Sequence, residues 1–313
     1  MHSTDPAGDG KPPICVLEPI HQDAMEALRK RAVVVGSEDS AAHRWPEMAD
    51  AIIVRNATVT GEQIARAKRL RVIGKHGAGT DTIDTDKAAE LDIPVVSTPG
   101  VNAPSVADLA LAMALSLARN LQGHTMALRQ GAPLSGEQRI GFEMSELPAG
   151  IIGLGAIGRA VASRLLGGFG VRVKAFDPGI AEADWPSDIG RAESVESLLK
   201  DSRMLFLHVG LNRSTQGMIS TKELAAMPEN SFVINCSRGG VVDEAALFEA
   251  LSTGQIAGAA SDVFEQEPPP SDHPLLQLPG FIATPHVGAS TDAGLKRTGM
   301  EVIDKVFAVL NKS

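Results

Sequence analysis

Residues Gly150–Leu166 read GIIGLGAIGRAVASRLL, and the order of residue types in this stretch decides the fold class. An apolar run, Ile151–Leu154, enters a turn that holds Gly153, Gly155 and Gly158 in the spacing G-x-G-x-x-G. A helix-compatible segment, Ala156–Leu166, leaves the turn, and a second apolar run, Val171–Phe176, follows. Strand, glycine turn, helix and strand make a βαβ unit. In such a unit the first glycine permits the tight turn, the second lets the backbone approach a pyrophosphate, and the third lets helix and strand pack closely. The phosphates then face the helix start, where the amides of Ala156 and Ile157 are free donors and the dipole favours anions. Glycine triplets also arise for packing alone, so the flanking pattern carries the reading. Asp177 closes the second strand, 19 residues after Gly158. An acid there accepts hydrogen bonds from ribose hydroxyls and repels a 2′-phosphate, which favours NAD over NADP. The motif by itself leaves FAD open.

The same rhythm extends in both directions. Further apolar runs follow at Met204–Val209, Phe232–Asn235, Ala257–Ser261 and Phe281–Ala283. Before it, Ile14–Leu17, Val33–Val35, Ala51–Val54, Val72–Ile73 and Val95–Val96 alternate with the helix-compatible Gln22–Lys30, Gly61–Ala67 and Thr85–Leu91. Short uninterrupted apolar runs are what parallel strands buried on both faces look like. The expected fold is therefore α/β, with two doubly wound parallel-sheet domains. A helix from about Ser105, with Asn102–Ser105 as capping candidates, is apolar at nearly every inner position and points to burial at a domain or subunit junction. Gln122–Pro148 shows no clear period. The final helix, Thr291–Leu310, sets Val302, Val306 and Leu310 on one side.

At 313 residues the chain accommodates two ordinary domains. Its 29 Lys and Arg against 38 Asp and Glu give a net charge of -9. That balance argues against a nucleic-acid partner, although it leaves room for a local basic pocket. Cys15 and Cys236 form no disulfide framework, and the expected location is a reducing cytoplasm. Residues 1–13 read as a polar, disordered lead-in without the pattern of a signal peptide. The apolar stretch Leu109–Ala118 is too short to cross a bilayer, so no membrane association is expected. No metal site is expected either.

Three later segments carry chemistry-capable side chains, each just past an apolar run, where open α/β sheets bind ligands. In VINCSRGGVVDE, Arg238 follows the Phe232–Asn235 run. Its planar guanidinium matches a carboxylate and stays charged at any working pH. In ASDVFEQEPPP, Asp262, Glu265 and Glu267 precede three prolines; in ATPHVGAST, His286 lies between Pro285 and Gly288. Singly, each of these is as readily a solvated loop residue. Together they supply what a 2-oxo acid needs for reduction: a cation for its carboxylate and a proton for its C2 oxygen, beside a hydride source. Histidine is the usual proton donor near neutrality, and an adjacent carboxylate stabilises its charged form.

From Gly150 to the C-terminus the chain resembles the D-isomer-specific 2-hydroxyacid dehydrogenases, most of all their D-3-phosphoglycerate dehydrogenase branch. NCSRGGVVDE, DVFEQEP and TPHVGAST occur in the family's order and spacing, and the likeness extends through the first domain. The resemblance implies that Arg238 binds and polarises the substrate, that His286 is the acid/base, and that Glu267 is its partner. Glu267 is selected over Glu265 because the family's acid directly precedes proline. It further implies that Asp262, Gly288 and the Cys236–Ser237 backbone lie along the nicotinamide half of NAD, with Val209 near the adenosine. KHGAGTDTID resembles the family loop whose amides hold the substrate carboxylate, here Gly77, Ala78 and Gly79. Arg55 falls at a substrate-facing position, and Asn102 matches a polar contact. For His76 the satisfied loop histidine is the better reading; Lys75 divides between solvated charge and anion contact. Arg55 and Lys75 together would favour a substrate with a second anionic group.

The resemblance also implies a cofactor domain, 99–287, inserted into a flavodoxin-like substrate domain of 14–98 and 288–313, in a homodimer. It departs from the pattern in places. ELPAGIIG is shorter than the family's usual lead into the glycine loop, RLLGGFG carries one extra residue, Gly210 replaces a common proline, and Asp108 a common glutamate. The first of these predicts a short or abrupt first cofactor strand. The chain ends at Ser313, so feedback through an appended regulatory domain is not expected. The expected activity is NAD-dependent interconversion of a small anionic 2-oxo acid and its D-2-hydroxy acid. Glyoxylate/hydroxypyruvate reduction is one alternative within this chemistry, and an NAD(H)-sensing corepressor-like protein is an alternative outside it.

Overall fold

The computed structural model describes residues 10–312. Backbone contacts divide the chain into two units: one is formed by the described residues of Met1–Asn102 and Ser290–Ser313, the other by Ala103–Ala289. The change of unit thus falls at the start of the long apolar helix and just past the histidine loop.

The first unit contains β1 (Pro13–Val16), α1 (Gln22–Arg31), β2 (Val33–Val35), α2 (Trp45–Met48), β3 (Ala51–Val54), α3 (Gly61–Arg66), β4 (Val72–Lys75), α4 (Thr85–Glu90) and β5 (Val95–Val96). Its sheet has the order β2-β1-β3-β4-β5, and every pairing is parallel. This is the flavodoxin-like order, with its switch point between β1 and β3. Alternate residues feed the two faces. Ile14, Val16, Ala51 and Ile53 join one core, while Cys15, Ile52 and Val54 join the other. The expected lead-in is shorter than the sequence indicates: residues 1–9 lie outside the described residues, but Pro13 already belongs to β1. Its missing N–H costs nothing at a strand start, and its carbonyl still accepts from Asp50, as that of Pro12 does from Val33.

The second unit begins with α5 (Ala103–Ala118) and α6 (Leu121–Arg129), followed by β6 (Ala149–Ile152), α7 (Ala156–Phe169), β7 (Val173–Phe176) and β8 (Gly190–Arg191). It continues through α8 (Val195–Lys200), β9 (Met204–Leu207), α9 (Thr221–Ala225), β10 (Phe232–Asn235), α10 (Glu244–Ser252), β11 (Gly258–Ser261) and β12 (Phe281–Ala283). The seven strands lie in the order β12-β11-β10-β9-β6-β7-β8, all parallel, which puts the switch point between β6 and β9. The expected abrupt start is present: β6 begins directly after Pro148, yet all four of its residues pair with both β7 and β9. The chain's last helix, α11 (Asp292–Leu310), returns to the first unit, where Val302, Val306 and Leu310 enter the same core as Ile14 and Val72.

Helix α5 is buried, as its composition indicates. Its apolar residues are engaged within the second unit, because Ala107, Ala110, Met113, Ala114 and Leu117 pack with β6, α7 and β10 residues. Large exposed apolar side chains occur instead on α6 and beyond it: Leu121, Met126, Leu128 and Ile140. This is why Gln122–Pro148 shows no period in the sequence. Its apolar residues do not line one buried face.

Candidate active site

The glycine turn sits at the carboxyl end of β6, at the switch point. Gly153 has φ +90°, and a Cβ there would stand 2.5 Å from the carbonyl oxygen of His208 at the end of β9. A Cβ on Gly158 would stand 2.1 Å from the Gly153 carbonyl oxygen, so the helix can approach the turn only as glycine. Gly155 faces open space, with nothing within 4 Å of a would-be Cβ. No side chain caps the start of α7, which leaves the Ala156 and Ile157 amides aimed outward. A tight turn, a close helix and a bare, donor-rich edge are the three features that a dinucleotide pyrophosphate requires.

Asp177 does more than the sequence reading assigns it. Its Oδ2 accepts from the Leu154 amide at 2.8 Å and its Oδ1 from Gly179 at 2.9 Å, so the carboxylate also ties β7 to the glycine turn. It is half-buried, with lone pairs remaining for a ribose. Val209 is likewise half-buried beyond β9. Beside it, both ring nitrogens of His208 are buried and unpartnered, and burial pushes this imidazole down to about 3. Burial thus disfavours the charged form of this imidazole, which makes His208 a poor candidate for the proton donor.

The three catalytic candidates stand on loops leaving β10, β11 and β12, which are adjacent in the sheet. Their convergence has a local cause. A Cβ on Gly239 would lie 1.9 Å from the Phe264 carbonyl oxygen and 2.6 Å from the Glu265 nitrogen, so only glycine lets the loop of Arg238 touch the loop of Glu267. Phe264 donates its amide to Glu267 Oε1 at 3.1 Å, and Glu267 Oε2 lies 2.7 Å from His286 Nδ1. Burial pulls the Glu267 carboxyl upward. Hydrogen bonds from His286 and the Phe264 amide, with the charges of His286 and Arg238, outweigh it and hold the group below its ordinary value. Arg238 donates through Nη1 to the Ser237 carbonyl at 2.7 Å, and Asn235 Nδ2 holds the Arg238 carbonyl at 3.2 Å.

His286 is held by its backbone. Its φ is +53°, a conformation uncommon for a non-glycine residue. The hold comes from Asp262, which is 3% exposed. The Asp262 carbonyl accepts from the His286 amide at 2.7 Å, Oδ1 from Val287 and Thr284, and Oδ2 from the Gly288 amide at 2.8 Å. Asp262, expected along the cofactor, also builds the histidine loop through these bonds. The amide of Gly288 is engaged in the same way, and Ser237 gives both N–H and hydroxyl to Asn235 Oδ1. Neither Gly288 nor Ser237 retains a free amide for a ligand. Cys236 is buried against Met113, and burial pushes its thiol up.

The candidates in the first unit are described separately. Glu18 Oε2 accepts three successive amides, Arg55 at 2.7 Å, Asn56 at 2.6 Å and Ala57 at 2.8 Å, and so shapes the turn after β3. Nothing in the sequence singled Glu18 out. Arg55 itself is half-buried and donates to Ser290 Oγ. Lys75 requires a correction: it is 7% exposed, and its ammonium donates to the Arg55 carbonyl and, at 3.4 Å, to Thr82 Oγ1. A buried ammonium with internal partners braces the Arg55 turn; it is not a solvated charge. The loop amides divide as well. Gly77 N–H is engaged by Thr98 Oγ1 at 3.0 Å, whereas among the described residues Ala78 and Gly79 donate to no internal acceptor. Asn102 Oδ1 is buried without a partner. His76 is the satisfied loop histidine: burial lowers it, and its Nε2 meets the Leu295 carbonyl at 3.3 Å.

A parallel sheet with a dinucleotide cradle at its switch point, and a cation beside a carboxylate–imidazole pair, defines a nicotinamide-dependent oxidoreductase. The chain belongs to the D-isomer specific 2-hydroxyacid dehydrogenases: the pattern of their NAD binding domain matches residues 111–288. It is 38% identical to a hydroxypyruvate reductase of Thermotoga maritima over 307 residues, covering 94% of this chain and 97% of that one. It is 37% identical to a D-3-phosphoglycerate dehydrogenase of Methanocaldococcus jannaschii over 302 residues, covering 95% of this chain but 57% of that longer one. A D-lactate dehydrogenase of Aquifex aeolicus, solved with NAD and lactic acid, superposes with a TM-score of 0.83 at 27% identity over 96% of each chain. The protein is an NAD-dependent dehydrogenase acting on CH–OH donors. Among the described residues no helix is long and apolar enough to cross a membrane, and no cluster of potential metal ligands occurs.

Proposed function

We propose that the protein interconverts a 2-oxo acid of hydroxypyruvate size and its D-2-hydroxy acid, with Arg238, Glu267 and His286 acting on the substrate. The observation that carries this reading is the His286–Glu267 contact of 2.7 Å on the loop adjoining Arg238. When bound, NAD(H) would supply or accept the hydride at C2. The Ala156 and Ile157 amides would hold its pyrophosphate, Asp177 its ribose, and Val209 would lie near its adenine. Arg238 fixes the substrate carboxylate, and its charge favours the negative charge that develops on the C2 oxygen. Glu267 accepts a hydrogen bond from Nδ1–H of His286, which fixes the tautomer and leaves Nε2 as the atom that exchanges a proton with that oxygen. At 42% and 36% side-chain exposure, His286 and Glu267 are accessible to a small molecule.

In the first unit, Arg55, Asn102 and the Ala78 and Gly79 amides are the proposed anion contacts. With the Lys75 ammonium bonded to the Arg55 carbonyl, Arg55 is the proposed cation for a second anionic group. The likeness to hydroxypyruvate reductase over nearly its whole length favours hydroxypyruvate. Arg55 supports a second reading, a dianionic acid such as 3-phosphohydroxypyruvate. Steady-state reduction of hydroxypyruvate, glyoxylate, pyruvate, phosphohydroxypyruvate and sulfopyruvate with NADH tests both. The first reading expects the highest kcat/KM for hydroxypyruvate; the second requires a dianion to lead. No turnover with any of the five defeats the proposal.

A further inference from the structure

A second histidine–carboxylate pair stands behind the proton-transfer pair. Glu244 is the first residue of α10, fixed there by Asp243, whose Oδ1 accepts from the Ala246 amide at 3.0 Å. An acid at this position is ordinarily explained by the helix dipole. The Glu244 side chain, however, reaches away from its helix. Its Oε1 accepts from the Glu265 amide at 2.9 Å, and its Oε2 lies 3.1 Å from His273 Nε2. The pair is well covered, with side-chain exposures of 20% and 15%.

His273 also grips the same loop through its ring, which packs edge-on to Phe264 with centroids 5.6 Å apart and planes at 76°. Its Nδ1 is buried without a partner, which favours the tautomer that donates from Nε2 to Glu244. The Phe264–Glu267 loop is thus held at Phe264 by the His273 ring and at Glu265 by the Glu244 carboxylate. From the Phe264 amide the contact passes to Glu267 Oε1, and from Glu267 Oε2 to His286.

We infer that Glu244 and His273 are positioning residues for proton transfer, fixing the Phe264–Glu267 loop so that Glu267 meets His286 Nδ1. This rests on the proposed roles of Glu267 and His286. The pair touches no reacting atom itself. Its effect should therefore appear in kcat and in the pH profile, while NADH binding, governed by the glycine turn, stays as it is.

The test compares Glu244→Ala, Glu244→Gln, His273→Ala and His286→Ala, using hydroxypyruvate reduction from pH 5 to 9, NADH affinity by fluorescence, and Tm. Expected for Glu244→Ala and His273→Ala is a fall in kcat of about 10- to 100-fold, part of the ~10²–10⁴ that general acid–base catalysis contributes. The alkaline limb should move, because the displaced carboxylate no longer meets His286 Nδ1. NADH affinity should stay within about twofold, and Glu244→Gln, which keeps an acceptor for the Glu265 amide, should restore most of kcat. Should Glu244→Ala not fold, His273→Ala and Glu244→Asp, which keeps the charge but shortens the reach, carry the same expectation. An unmoved limb with kcat unchanged, or reduced equally in Glu244→Gln, overturns the inference while leaving the proposed function intact. Unchanged kcat in His286→Ala overturns both.

Discussion

Gly239 and Phe264 are in closer backbone contact than any other residue type at position 239 would allow: a Cβ there would stand 1.9 Å from the Phe264 carbonyl oxygen. The crowding atoms, the Phe264 carbonyl carbon and oxygen and the Glu265 nitrogen, are all main chain, so no side chain can swing aside to relieve the clash. Gly239→Ala should separate the Arg238 and Glu267 loops and lower stability by about 1–3 kcal/mol, the usual cost of overpacking. It should lower kcat/KM by more than tenfold, with NADH affinity near that of the wild type. Thermal unfolding and steady-state kinetics measure the two effects. A fully active Gly239→Ala would show that the contact of the loops is dispensable.

Asp177 makes two kinds of contact, and substitution can separate them. The protein should prefer NADH over NADPH strongly, because the carboxylate repels a 2′-phosphate. Asp177→Asn keeps an acceptor for the Leu154 amide and should narrow the preference with a small loss of NADH affinity. Asp177→Ala also releases the glycine turn and should weaken NADH further. Equal catalytic efficiency of the wild type with both cofactors contradicts this assignment.

Much of this was legible in the sequence, and the reasons it was legible also explain where it was not. The βαβ pattern appears because strands buried on both faces leave runs such as Ala51–Val54 and Phe232–Asn235, both of which are strands over those residues. The runs fail to mark strand ends: Ile151–Leu154 points to a strand stopping at Leu154, whereas β6 stops at Ile152, because φ +90° at Gly153 breaks the extended chain. Arg238 and His286 stand out by residue type just past apolar runs, whereas choosing Glu267 over Glu265 took the resemblance to the family. Lys75 was misread because sequence carries no sign of burial for a lysine after a strand. Glu18 and Glu244 were missed because each acts through backbone amides distant in sequence, 37 residues away for Arg55 and 21 for Glu265.

The Glu267 carboxyl provides a pH test. Its folded value lies below the ordinary 4.5, so its ionised form contributes stability that is present above about 4.5 and lost as pH falls through the folded value. Since the group is partly exposed, the contribution is modest. In His286→Ala the favourable hydrogen bond and charge are gone while burial remains, so the carboxyl should titrate at higher pH than in the wild type. Carbon-13 NMR of the glutamate carboxyls, with Glu267→Gln for assignment, reads the change; an unshifted titration denies that His286 lowers it.

Assembly can be examined through α6. Leu128 and Ile140 are 69% and 75% exposed, an unusual exposure for large apolar side chains on a segment that also shows Leu121 and Met126. A homodimer covering this face is the proposed state. Sedimentation at micromolar concentration should give a dimer, and Leu128→Glu with Ile140→Glu should shift it toward monomer. A monomeric wild type rules the dimer out.

The central claim is that His286 exchanges the proton at the substrate's C2 oxygen, and one comparison tests it most directly. His286→Ala should bind NADH as the wild type does, because the glycine turn and Asp177 are untouched. Its kcat for reduction of the best 2-oxo acid should fall by about 10²–10⁴-fold. A variant that binds NADH and turns over at the wild-type rate would contradict the account.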